Sequence, residues 1–291
     1  MRDLADLLQA RTRRPDAIAA AAASRRRPAS LFGEHGKLMI IAADHPARGA
    51  LRAGADPMAM GNRIGLLDRI RTALARPGVN GVLGTPDILE DLLLLGALDD
   101  KVVIGSMNRG GLAGTSFEMD DRFTAYDAGS IAAAGYEGGK MLLRIDPADP
   151  GTVATLQACG TAVAELASLR RMAMVEPFIS HRVDGRVRND LSPEAVIRSI
   201  TVAAGLGATS AYTWLKLPVV EDMERVMAAS TLPVLLLGGE VSADQDAAFE
   251  SWRKALQIPS VHGLVIGRSL LFPPDDDVSG AVDTVLSMVR G

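Results

Sequence analysis

The sequence contains a single cysteine, Cys159, so no disulfide can form within one chain. Its surroundings, ATLQACGTAVAEL, are typical of a helix, and we interpret Cys159 as a structural residue rather than a nucleophile. Histidine is also scarce, and His35, His45, His181 and His262 show neither the H-x-H nor the H-x-x-x-H spacing of metal sites. We expect no metal and no cofactor. Ligands that converge from separate strands would be missed, so a metal-dependent lyase stays an alternative.

Long apolar runs are absent too, since none approaches the roughly 20 residues that span a bilayer. Asp3 and Asp6 near the N-terminus are not followed by the apolar core of a signal peptide. The net charge of −4 leaves no basic surface of the kind that polyanion binding needs. We therefore expect a cytoplasmic protein that binds neither membranes nor nucleic acid.

The first part of the chain is rich in alanine and arginine, which predicts one or two helices. We expect residues 1–36 to form a helical extension and residues 37–291 to form one catalytic domain. Clustered arginines on an alanine-rich helix are usually a solvated face or an oligomer contact. Together with the frequent self-association of such enzymes, this favours a homo-oligomer.

From Lys37 onward, short apolar runs alternate with longer segments of helical periodicity, which predicts βα units and a parallel sheet. Ser192 followed by Pro193 predicts one helix start. Eight apolar runs occur, at 38–44, 81–84, 102–106, 140–145, 172–177, 210–217, 234–239 and 263–268. Eight parallel strands close an α/β fold, the (β/α)8 TIM barrel. An open doubly wound sheet has the same alternation, but no G-x-G-x-x-G follows the first run.

Lysine is rare, with five residues against 26 arginines, yet Lys140 and Lys216 stand within apolar runs. Burying an ammonium group is unfavourable unless it is paired or neutralised. A desolvated lysine near another cation has a lowered pKa and can attack a carbonyl group to form an iminium. Lys216 lies where the sixth run ends, at the catalytic edge of a barrel. Lys140 opens the fourth run, where it could supply that second cation or lie exposed at the opposite end.

Two carboxylates also stand at strand ends. Glu176 closes the fifth run, and we expect a partly dry cleft to raise its pKa to suit an acid/base. Asp44 closes the first run, where it could orient substrate hydroxyl groups or tether Lys216. Its neighbour His45 has a functional and a merely structural interpretation.

Glycines follow the last two runs, as Gly238-Gly239 and as Gly267-Arg268. Backbone N–H groups at glycine turns, together with a guanidinium group, make a cradle for phosphate. Barrels commonly bind phosphate at these two loops. We therefore expect a phosphorylated small-molecule substrate.

Residues 37–275 resemble the class I aldolase superfamily, which includes deoxyribose-phosphate, tagatose-bisphosphate and archaeal-type fructose-bisphosphate aldolases. The tagatose-bisphosphate branch has an aspartate ending the first strand, a lysine opening the fourth, a glutamate ending the fifth and a Schiff-base lysine in the sixth. Asp44, Lys140, Glu176 and Lys216 match these positions. The first strand departs from the branch in its continuation, His45-Pro46-Ala47-Arg48-Gly49, which makes His45 and Arg48 candidates for binding the far end of the substrate.

The resemblance implies C–C bond chemistry on a phosphorylated keto-sugar or keto-acid, without a cofactor. The chain also resembles an actinobacterial group of aldolase-like barrels that is associated with inositol breakdown. That likeness implies cleavage of 2-deoxy-5-keto-gluconate 6-phosphate to dihydroxyacetone phosphate and malonic semialdehyde. Transaldolase or thiolase action, and an inactive sugar-phosphate-binding barrel, are alternatives. We expect the long segment 108–127 to shape specificity.

Overall fold

The computed structural model describes residues 4–32, 36–108, 112–239 and 245–290. Two helices, α1 (Leu4–Arg13) and α2 (Ala17–Ser24), precede the first strand, which begins at Leu38. From Leu38 on, strands alternate with helices. The division into residues 1–36 and 37–291 stays a prediction about domains.

Eight parallel strands form a closed barrel, because each pairs with the next and the last pairs with the first. They lie at the eight apolar runs, so the predicted (β/α)8 barrel is confirmed. The strands are β1 (Leu38–Ala42), β2 (Gly81–Gly84), β3 (Val102–Ser106), β4 (Gly138–Ile145), β5 (Met172–Val183), β7 (Thr213–Leu217), β8 (Val234–Leu237) and β9 (Val261–Ile266), while β6 (Arg186–Asn189) stands outside the barrel.

Helices cover the outer face of the barrel. Ser192 caps one of them as predicted, since its hydroxyl accepts a hydrogen bond from the Ala195 N–H at 3.3 Å. Short 3-10 turns at His45–Arg48 and Ala59–Gly61 follow β1. The helices after these turns are α3 (Arg63–Leu74), α4 (Pro86–Leu94), α5 (Ala128–Ala133), α6 (Gly151–Ser168), α7 (Pro193–Ala204), α8 (Met223–Met227), α9 (Gln245–Ala255), α10 (Arg268–Leu271) and α11 (Val278–Arg290).

Alternate residues of each strand point into the barrel or out towards the helices. The outward side chains form the larger apolar cluster with the helices. The inward side chains form a separate cluster that fills the lower part of the barrel, so the interior is a packed core rather than a pore. Its members are Leu38, Ile40, Ala42, Leu83, Val102, Ile104, Met172, Met174, Leu235 and Val265.

Strand β5 runs past its expected end at Pro177 and pairs antiparallel with β6. The two are joined by Asp184-Gly185, whose φ angles are 50° and 73°. Two successive positive φ angles are typical of the type I′ hairpin turn, which favours Asp-Gly. The dipeptide was therefore a usable sequence signal for a hairpin that we did not predict.

Arg13, Arg14, Arg26 and Arg27 are exposed, as expected of a solvated face, but Arg25 and Arg11 make contacts that we did not predict. Arg25 is only 8 % exposed, and its guanidinium donates to Glu137 Oε1 at 3.1 Å and to the Gly135 carbonyl at 2.6 Å. Arg11 pairs with Glu90 and Asp91 of α4. Helix α2 contacts α4, and both arginines bind carboxylates of the same chain.

Candidate active site

Four charged side chains meet inside the barrel. Asp44, Lys140, Glu176 and Lys216 share the inward phase of their strands, and none is more than 8 % exposed. Strand stagger brings them to one level although they occupy different positions in their strands. Lys140 lies opposite Ser106, the last residue of β3, so the early part of β4 is level with the carboxyl end of β3.

Lys140 does not open its strand as we predicted. Strand β4 begins two residues earlier, at Gly138, where a Cβ atom would lie 2.6 Å from the Met172 carbonyl oxygen. Glycine therefore permits the close approach of β4 and β5. Lys140 is consequently inside the barrel and not exposed at its opposite end.

The Glu176 carboxylate bridges the two lysines. Its Oε1 accepts a hydrogen bond from Lys216 Nζ at 2.9 Å, and its Oε2 lies 2.6 Å from Lys140 Nζ. Lys140 Nζ also donates to Asp44 Oδ2 at 3.0 Å. The order of contact is thus Asp44, Lys140, Glu176, Lys216, with carboxylates and ammonium groups in alternation.

The surroundings shift the pKa values of the two lysines in opposite directions. Burial lowers the pKa of Lys216, and the charge of Lys140 adds to that shift against the opposing attraction of Glu176. Burial also disfavours the charged form of Lys140, but Asp44 and Glu176 outweigh it and raise its pKa. Lys140 therefore remains an ammonium ion, while Lys216 is the lysine that loses its proton more readily.

The expectation for the pKa of Glu176 is wrong in sign. Burial acts to raise it, but Lys140 and Lys216 together lower it to about 2. The same reasoning holds for Asp44, where burial is outweighed mainly by Lys140 and the pKa falls below its usual range. Both carboxylates are therefore ionised near neutral pH, and Glu176 has no proton to give.

His45 opens the 3-10 turn after β1, with Nδ1 3.7 Å from Asp44 Oδ1. Burial, assisted by the charges of Arg48, Arg268 and Lys216, lowers its pKa to about 3 against the attraction of Asp44. The imidazole is therefore neutral. Its ring lies beside Gly267, which follows β9, since a Cβ on Gly267 would lie 3.3 Å from His45 Cε1.

The carboxyl ends of the eight strands form one end of the barrel, the carboxyl edge. The two glycine segments are neighbours there because β8 pairs with β9. Gly238 follows β8, and a Cβ there would lie 2.7 Å from Ile266 Cγ2. Gly239 has φ +67°, which favours glycine, and Gly267 and Arg268 follow β9. Residues 240–244 lie outside the described residues. Phosphate binding by this edge stays a prediction.

Segment 108–127 contacts other loops of this edge from residue 112 on, while residues 109–111 lie outside the described part. The Ala113 N–H donates to the Arg48 carbonyl at 2.9 Å. Arg182 of the hairpin donates to the Ser116 carbonyl at 2.7 Å and to Asp149 Oδ2 at 2.9 Å.

Sequence reasoning missed other buried polar side chains in or directly after the barrel strands. Thr85 follows β2 and is 1 % exposed, and Ser106 ends β3 and is fully buried. Arg144 lies in β4 and pairs with Glu118 of the long loop at 2.8 Å. The available signal was a polar residue directly at the end of an apolar run, as in GVLGT and VVIGS.

Within the described residues no three His, Cys, Asp or Glu side chains gather as a metal site would require. In the same part of the chain, no helix is both long and apolar enough to cross a membrane.

A family model described as Cgl0159-like matches residues 36–286. The crystal structure of Cgl0159 from Corynebacterium glutamicum is similar with 53 % identity and a TM-score of 0.96, covering 100 % of this chain and 98 % of that one. A comparison with curated proteins finds no match.

More distant structures share the fold. A Schiff-base-forming fructose-1,6-bisphosphate aldolase has 19 % identity and a TM-score of 0.65, with 94 % of this chain and 99 % of that chain covered. An archaeal fructose-1,6-bisphosphate aldolase, whose catalytic lysine is covalently bound to the carbinolamine intermediate, has 18 % identity and a TM-score of 0.66, with 94 % and 100 % covered. These likenesses show that the chain shares the (β/α)8 barrel fold of these enzymes.

Proposed function

The chain belongs to the Cgl0159-like family, and from that premise and its site we propose that it is a class I aldolase. It makes or breaks a C–C bond in a phosphorylated keto-sugar or keto-acid through a Schiff base on Lys216. The observation that carries this proposal is the buried Lys216 amine, whose Nζ lies 2.9 Å from the Glu176 carboxylate. Lys140 is paired with two carboxylates and stays positively charged, whereas Lys216 becomes neutral.

In the cleavage direction, the neutral amine of Lys216 adds to the substrate ketone, and loss of water gives an iminium. Glu176 takes the proton of the hydroxyl group beta to the iminium carbon. The C–C bonding pair moves to the iminium, which gives an aldehyde and an enamine. Protonation of the enamine carbon and hydrolysis then release the second product and restore the amine.

Lys140 contributes electrostatically in this scheme. Its ammonium group lies 2.6 Å from the carboxylate that takes the proton. A substrate hydroxyl group bound to that carboxylate is therefore close to Lys140, which stabilises the negative charge that develops on the hydroxyl oxygen. Asp44 keeps Lys140 charged and in position through the 3.0 Å hydrogen bond. The pair thus supports Lys216 without forming a covalent bond to substrate.

The ends of the substrate are assigned from the loops. The phosphate binds at Gly238, Gly239, Gly267 and Arg268, because these adjoin at the edge where β8 and β9 end. His45 and Arg48, which follow the first strand, bind the other end of the substrate. The neutral imidazole offers a hydrogen bond and the guanidinium group offers positive charge. The candidate substrate is 2-deoxy-5-keto-gluconate 6-phosphate, supported by the sequence resemblance to aldolase-like barrels linked to inositol breakdown.

Reductive trapping tests the proposal. Borohydride with a panel of phosphorylated ketoses, fructose 1,6-bisphosphate and 2-deoxy-5-keto-gluconate 6-phosphate among them, should fix the mass of the imine partner on Lys216. Lys216→Ala should abolish trapping and activity, whereas Lys37→Ala, at the opposite end of the barrel, should retain both. Full activity in Lys216→Ala would sink the proposal. Activity that is lost in EDTA would instead support a metal-dependent lyase, and product analysis would reveal a transferase.

A further inference from the structure

Ser106 carries a hydroxyl group that the fold leaves unused. It ends β3, is 0 % exposed, and its Oγ has no hydrogen-bond partner among the described residues. Buried polar atoms are almost always hydrogen-bonded in native proteins, so an unpaired one needs a physical reason. A ligand that supplies the missing partner is one such reason.

The hydroxyl points into the barrel beside Lys140. Ser106 and Lys140 are register partners on adjacent parallel strands, and paired residues point to the same face of a sheet. Lys140 extends inward to Asp44 and Glu176. Val102 and Ile104, which share the phase of Ser106, lie in the inner apolar cluster. Ser106 Oγ therefore borders the same chamber as the charged residues.

The end of β3 is fastened to β4, so the hydroxyl is held in place. The Met107 N–H donates to the Lys140 carbonyl at 2.9 Å. Asn108 Nδ2 donates to the Leu142 carbonyl at 2.6 Å, and its Oδ1 accepts from the Leu142 N–H at 3.0 Å. These bonds extend the ladder beyond the strand and fix the position of Ser106 relative to Lys140. A preorganised donor of this kind binds an oxygen without prior rearrangement.

We propose that Ser106 Oγ binds the substrate oxygen that Lys140 stabilises, the oxygen that becomes the aldehyde carbonyl on cleavage. This inference rests on the proposed function. In the addition direction, the enamine carbon bonds to the aldehyde carbon, the enamine nitrogen becomes the iminium, and Glu176 returns its proton to the aldehyde oxygen. Ser106 keeps its own proton and donates only a hydrogen bond. It therefore acts on the aldehyde half of the reaction, whereas imine formation with the ketone donor does not need it.

Partial reactions of Ser106→Ala test this assignment, with dihydroxyacetone phosphate as donor and malonic semialdehyde or glyceraldehyde 3-phosphate as aldehyde. Borohydride trapping of the donor and exchange of its hydroxymethyl hydrogen in heavy water report the donor half. The kcat/KM for the aldehyde reports the other half. We expect unchanged trapping and exchange and about a tenfold lower kcat/KM for the aldehyde, the effect of one lost hydrogen bond.

Thr213→Val is the matched control. Thr213 is also buried, and its Oγ1 has no hydrogen-bond partner among the described residues, but it pairs with Ala173 in the outward phase of the sheet. This variant should leave both halves unchanged. An unaltered kcat/KM for the aldehyde in Ser106→Ala, or an equal loss in both halves, would overturn the inference. Absence of trapping in the unmodified protein would instead refute the aldolase proposal itself.

Discussion

Glu176 Oε1 lies 2.9 Å from Lys216 Nζ. The two residues are 40 positions apart in the sequence and belong to neighbouring strands of the barrel. The carboxylate favours the charged lysine, while burial and the nearby Lys140 favour the neutral one. The balance falls on the side of a lowered pKa. Small changes in the charges around this pair should therefore change the pH at which Lys216 can react.

Lys140→Met should move the reaction of Lys216 to higher pH. The substitution removes a positive charge that lowers the pKa of Lys216 and leaves Glu176 free to stabilise its ammonium form. The neutral, reactive amine predominates above its pKa, so the rate of imine formation should rise at a higher pH than in the unmodified protein. Single-turnover borohydride trapping across pH 6 to about 10 measures this profile.

Lys101→Met is the control for that profile. Lys101 is only partly buried, and it donates to the Val79 carbonyl at 2.7 Å just before β3 begins, at the amino-terminal end of the barrel. Its replacement should leave the profile where it was. If the profile shifts equally in both variants, the net charge of the protein, and not contact with Glu176, determines the pKa of Lys216.

Glu176→Gln should lower kcat by about 100- to 10,000-fold, because the amide cannot take the proton of the substrate hydroxyl group. Imine trapping should persist and extend to lower pH, since the carboxylate that favours the ammonium form of Lys216 is gone. Steady-state turnover and trapping measure the two effects separately. A variant that loses both together would contradict the assignment of Glu176 as the proton acceptor.

Glu137→Gln is matched to that variant in residue type and burial. Glu137 is 7 % exposed and Glu176 is 8 % exposed. Glu137 directly precedes β4 and is also ion-paired, but with Arg25. The control should lower stability and leave kcat unchanged.

The sequence was sufficient for the barrel because each strand is a short apolar run with turn residues around it. The inward direction of Lys216 and Glu176 also followed, since strand ends in this fold border the site. The position of Lys140 along the barrel axis could not be predicted from the sequence. It depends on strand stagger and on close packing at Gly138, which only the three-dimensional pairing of the strands reveals. Long-range register has no local signature in one sequence.

The sign of the Glu176 pKa shift could not be read from the sequence for a similar reason. Burial raises a carboxyl pKa and adjacent cations lower it, so the result depends on distances. Here Lys140 at 2.6 Å and Lys216 at 2.9 Å decide the direction. Hairpin β5–β6 is a different case, because Asp184-Gly185 carried a readable local signal.

Acid should weaken the fold through Glu176. Its pKa is lowered from an ordinary 4.5 to about 2, so its contribution to the free energy of unfolding is complete above pH 4.5 and is lost as the pH falls towards 2. The shift corresponds to about 3 kcal/mol. Urea unfolding at pH 7, 4.5 and 3 should show a steeper acid loss in the unmodified protein than in Glu176→Gln, which cannot titrate there.

Glu194→Gln provides the comparison for acid stability. Glu194 pairs with Arg225 at 2.8 Å on the exposed surface, where solvent screens the interaction. Its replacement should leave the acid dependence close to that of the unmodified protein. Identical slopes for all three proteins would show that Glu176 does not titrate as its contacts require.

Arg182→Ala should loosen the loop over the carboxyl edge without weakening the barrel. Arg182 joins the hairpin to Ser116 of the long segment and to Asp149 before α6, and these polar contacts lie outside the apolar core. Amides of residues 112–127 should exchange with heavy water faster and KM should rise, while the midpoint of thermal unfolding changes little. Arg186→Ala, on the exposed partner strand of the same hairpin, should change neither quantity. If KM stays constant while exchange accelerates, the loop is held by Arg182 but takes no part in binding substrate; if exchange also stays constant, other contacts hold it.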